Sequence, residues 1–116
     1  MIEQKTEKLN SWFETQIAIC GQRRQALLTD DRTDEAAFEK IRANVYDIFR
    51  TILSVAVKTC EGEEAVRSFF AHRLQIIPSG WAASYEKAGL HHDPVKMQIE
   101  KLKLDTVEEI RKRFTS

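Results

Sequence analysis

The residues best suited to chemistry gather between Pro78 and Pro94. This stretch holds both prolines, two of the four glycines, Trp81, Tyr85, and the adjacent pair His91-His92 followed by Asp93. Aromatic rings give large contact area at low entropic cost, and joints between helices are frequent pocket positions. Trp81, Tyr85, His91 and His92 are therefore the candidate ligand-binding residues. A purely structural reading competes with this one. Trp81 and Tyr85 stand four apart on one helix face, where they would anchor that helix to a core. Imidazole and carboxylate also suit zinc or nickel, but helical ligand pairs stand four apart and adjacent side chains diverge. The remaining histidine, His72, lies at the edge of an apolar stripe. The pattern implies neither a metal nor a cofactor.

Catalysis finds little to work with. The chain has no GxSxG elbow, HExxH helix, Walker loop or dinucleotide glycine fingerprint, and it lacks the paired Glu-x-x-His motifs of di-iron bundles. Its carboxylates mostly occupy helix starts or lie within reach of a base. The two cysteines, Cys20 and Cys60, make neither a disulfide framework nor a four-ligand zinc site. Eighteen basic side chains cancel eighteen acidic ones, so no global field steers the protein toward nucleic acid or a membrane surface. Arg23-Arg24 and Arg111-Lys112-Arg113 are the basic clusters. Glu108 and Glu109 precede Lys112 and Arg113 by four residues, the spacing of ordinary surface pairs. No apolar run approaches the roughly 20 residues that span a bilayer. The start, Met1-Ile2-Glu3-Gln4-Lys5, lacks the apolar core of a leader, and a reduced cytoplasmic location is the expectation.

The elements that must position these residues are helical. Of the 116 residues, 42% are apolar and 31% charged, the balance of a globular chain, and they are expected to form a single helical-bundle domain over residues 1–116. Leu9, Phe13, Ile17, Cys20, Leu27 and Leu28 recur at helical steps and predict a first helix from Thr6 to Leu28, with Trp12 and Ile19 widening its stripe. Thr29 to Asp34 is the turn, and Thr33 or Asp34 the expected cap of a second helix that runs to about Cys60, with Gly62 as its left-handed terminator. Phe38, Ile41, Val45, Ile48, Phe49, Ile52, Ala56 and Cys60 are its expected core face. From Ile52 to Val57 that helix is apolar on more than one side and needs more than one neighbour. Folding the two helices antiparallel sets Cys20 opposite Ala43. Cys60 is then roughly 25 Å away along the axis, too far for a bridge.

A third helix is expected from Glu63 to Ile77, with Glu63 paired to Arg67 and Pro78 as its stop. Val66, Phe69, Phe70, Leu74 and Ile77 face inward. A short helix follows from Trp81 to Ala88, with Gly89 in a Schellman ending and Leu90 folded back toward Tyr85. Asp93-Pro94 opens the last helix, and Asp105 followed by Glu108 allows a restart near Leu104.

The expected fold is all-α, an elongated antiparallel helical bundle of four main helices plus one short bridging helix. The function expected of it is that of a non-enzymatic helical protein-interaction module that associates with itself as a homodimer or with another protein. Trp12, Ile19, Leu53 and Val57, apolar residues at the edges of the core stripes, form the expected contact surface. The alternative is a small-ligand or metal-binding bundle with its site in the segment from Pro78 to Pro94.

Overall fold

Apolar side chains repeating at three- and four-residue steps build four long helices. The computed structural model describes residues 2–116, with side chains from Lys5 onward, as α1 (Ile2–Thr29), α2 (Thr33–Thr59), α3 (Glu63–Leu90) and α4 (Pro94–Thr115). The helices form two antiparallel hairpins, α1 with α2 and α3 with α4, and α2 packs against all three others. Phe70 of α3 joins the hairpins. Its ring lies 6.2 Å from Phe13 of α1, 6.1 Å from Phe49 of α2 and 4.9 Å from Phe114 of α4. Phe13, Phe49, Phe70, Val45, Val107 and Ile110 are all but sealed from water, each side chain adding roughly 1.5–3 kcal/mol of burial free energy. The molecule measures 45 × 35 × 22 Å, with a radius of gyration of 15.7 Å. A compact chain of this length would have a radius near 13 Å, so the bundle is elongated and about two helix diameters thick.

The expected short bridging helix does not form among the described residues. Instead α3 continues through Pro78 to Leu90. A proline inside a helix costs about 3 kcal/mol, because it removes one hydrogen bond and crowds the carbonyl four residues back. Here that carbonyl belongs to Leu74. It accepts a hydrogen bond of 2.7 Å from the guanidinium of Arg111, on α4. Pro78 is itself buried, between the core residues Leu74, Ile77 and Trp81 of the same helix. A charged donor from another helix and continuous packing together offset the proline's cost. The helix end predicted from the sequence therefore moves to the next available signal.

That signal lies at residues 88–93. Asp93 N–H donates to Ala88 C=O at 2.9 Å and His92 N–H to Gly89 C=O at 3.2 Å, a Schellman ending with His92 in the left-handed conformation, φ 53°. Gly89 is helical rather than terminal. Leu90 does not fold back on Tyr85 but stands 80% exposed. The end of α1 repeats the motif. Arg32 N–H donates to Leu27 C=O and Asp31 N–H to Leu28 C=O, with Asp31 at φ 58°. Arg32, rather than Thr33 or Asp34, occupies the N-cap of α2, without a side-chain cap bond, while Asp34 and Glu35 lie in the first turn. Gly62, at φ 85° and ψ 158°, occupies a region open essentially to glycine alone and starts α3. As expected, Asp93 caps α4 through the Lys96 N–H at 3.1 Å, with Pro94 in the first turn. No break occurs at Leu104: Asp105 bonds Lys101 at 3.2 Å within a continuous helix. Both cysteines are free.

Candidate functional site

Trp81 is half-buried, its ring edge-on to Phe49 at 6.5 Å and the Lys103 ammonium 5.6 Å from its centroid. Tyr85, one turn further along α3, is also half-buried. His91 and His92 are exposed in the α3–α4 turn, where His91 is the C-cap and His92 supplies the left-handed residue. Ten residues of helix separate Trp81 from His91, about 15 Å. The histidine pair thus stands in the turn, and the aromatic pair on the helix before it. Among the described residues, no group of three or more His, Cys, Asp and Glu side chains could hold a metal ion.

A polar cluster that the sequence pattern did not reveal is enclosed between α1 and α2. Cys20 and Tyr46 are buried there beside Glu39 and Arg42, whose charged groups stand 3.9 Å apart. Burial, reinforced by the Glu39 carboxylate, pushes the Cys20 thiol up to about 11. Burial, reinforced by Cys20, pushes the Tyr46 phenol up to about 12. A thiol held neutral in this way is a poor nucleophile, so Cys20 acts as a small core residue. Glu39 Oε2 and Arg42 Nε are buried without a hydrogen-bond partner among the described atoms.

The four expected contact residues occupy different environments. Leu53 is 3% exposed and belongs to the core, so it presents no surface to a partner. Trp12 is half-buried, 5.4 Å from the Phe13 ring and edge-on to Tyr46 at 5.5 Å. Ile19 is half-buried, and Val57 is about half exposed. The more continuous surface lies on another side of α2. Ile41, Ile48 and Val55 stand exactly one heptad apart, which keeps them on one face. Ile48 is 39% and Val55 42% exposed, and Ile41 and Ile52 are half-buried beside them. Asn44 and Thr51 complete the face, both exposed and neither charged. Helical spacing places Ile48 on the core face of α2, but its side chain is exposed. The seven-residue spacing was visible in the sequence, but which neighbours leave that face uncovered was not. No helix among the described residues is long and apolar enough to cross a membrane. No family model matches the sequence, and comparisons with curated proteins and solved structures likewise find no match.

Proposed function

We propose that the protein is a helical interaction module that pairs with a second copy of itself through the outer face of α2. The observation that carries this reading is an uncharged stripe, Ile41, Asn44, Ile48, Thr51, Ile52 and Val55, in a chain in which 31% of residues are charged. Depletion of charge over exposed β-branched residues is the composition of an interface core rather than of a solvated helix face. The stripe is also self-complementary. Two antiparallel copies of α2 crossing at Ile48 set Ile41 of one against Val55 of the other, and Ile48 against its own copy.

The test is light scattering after size exclusion on the wild type and on Ile48→Asp/Val55→Asp. The wild type is expected to run as a dimer at micromolar concentration. The variant is expected to run as a monomer with unchanged far-ultraviolet circular dichroism, because both side chains point to water in the single chain. A monomeric wild type, or a folded variant that remains dimeric, contradicts the proposal.

A further inference from the structure

At the end of the bundle where α1 and α3 begin and α2 and α4 finish, the helices part around a cleft of about 360 Å³. Its floor is apolar: Leu9, Leu53, Val66 and Phe70 are buried beneath it, and half-buried Phe114 forms a wall. Its rim carries Lys5 and Lys8 from α1, Arg67 from α3 and Arg113 from α4, against Glu63 as the one acidic side chain among the described lining residues. None of these four cations belongs to an ion pair among the described residues. Arg67 has Glu63 four residues before it, the favourable order for a helical pair. It nevertheless lies over the Phe114 ring, 4.6 Å from the centroid. A guanidinium stacked on a ring keeps its in-plane N–H donors free for a planar anion.

Like charges drawn from three helices repel one another, and the chain's net charge of zero leaves no general reason for their gathering here. An anion bound at the rim relieves that repulsion, and an apolar body attached to it covers the floor. We propose that this cleft binds a small amphipathic anion, with its carboxylate or phosphate head between Arg67 and Arg113 and its hydrocarbon tail against half-buried Phe114. The volume lies within the ordinary range of small-molecule sites. The site is independent of self-association, which uses a different side of α2.

Calorimetric titration with decanoate, decyl phosphate, decanol and inorganic phosphate tests this directly. Saturable binding of decanoate or decyl phosphate at one per chain is expected, and the tighter of the two identifies the preferred head group. Decanol and inorganic phosphate, each lacking one half of the ligand, should bind at least about tenfold more weakly. Arg67→Gln/Arg113→Gln should weaken the amphipathic anions by about tenfold or more, and Arg23→Gln/Arg24→Gln, a neutralised pair outside the cleft, should leave them unchanged. Should loss of the Arg67–Phe114 stack unfold the double variant, Arg113→Gln alone, at an exposed position, carries the same test. The proposal is overturned by absent binding, by equal binding of decanol, by equal losses in the two charge variants, or by binding only to anionic vesicles.

Discussion

Arg111 performs two tasks at once: one arm of its guanidinium pairs with Glu108, and the other donates to the Leu74 carbonyl that Pro78 leaves without a helical partner. A surface ion pair contributes little, whereas an orphaned, partly buried carbonyl costs about 1–3 kcal/mol. Arg111→Ala is therefore expected to lower stability by more than about 1 kcal/mol, and Glu108→Ala by well under that. In a Pro78→Ala background the helix supplies its own donor to Leu74, so Arg111→Ala should then cost less. Urea melts of the four chains in this cycle read the coupling, and additive effects would contradict the account. Residue 111 lies 37 positions from residue 74, and no local pattern announces that bond. The phenylalanines, by contrast, declared themselves by helical spacing. Cys20 and Tyr46 give a second residue-scale expectation. Between pH 9 and 11 the unfolded thiol ionises while the folded one, raised to about 11, stays protonated, so the unfolded state binds fewer protons and stability falls as pH rises. The melting temperature should decline over that window, and Cys20→Ala should flatten the decline. A profile unaffected by Cys20→Ala would remove Cys20 as a cause.

At the scale of the element, the start of α4 and the ends of α1 and α2 are legible in the sequence, and the end of α3 is not. Asp93-Pro94 marks a start with a side-chain cap and a residue that cannot continue backward, and α4 begins there. Inside α3, local sequence carries proline's cost but not its tertiary compensation. Burial along Leu74, Ile77, Pro78 and Trp81, with the donor from Arg111, outweighs about 3 kcal/mol of helix disruption. Glycine is the usual left-handed residue, so the sequence points to Gly89 as the terminator, but His92, three residues later, takes that role. A non-glycine residue there carries a steric penalty of about 1–2 kcal/mol. His92→Gly is therefore expected to raise the melting temperature without altering the fold, and a lower melting temperature would show that the histidine ring makes stabilising contacts. The ring's exposure in the turn favours the first result.

At the scale of the whole molecule, the elongated all-α bundle was readable from periodicity and loop chemistry, and so was the hairpin register that keeps Cys20 and Cys60 apart. The partition of α2's broad apolar surface was not. Leu53, Val55 and Val57 look alike in sequence, but they point to the core, to the uncharged outer stripe, and to the side where α1 begins. Only the placement of the neighbouring helices decides among them. That same placement opens the cationic cleft at one end, and leaves the Ile41–Val55 face uncovered along the middle of the molecule. Pairing through this face predicts a closed two-fold dimer rather than a chain of subunits, because each copy offers the same stripe to the other. The most direct measurement is native mass spectrometry of the wild type beside Ile48→Asp/Val55→Asp at equal micromolar concentration. The account predicts twice the chain mass for the wild type and a single folded chain mass for the variant. A wild type found only at 13.4 kDa, or a folded variant still at twice that mass, would contradict it.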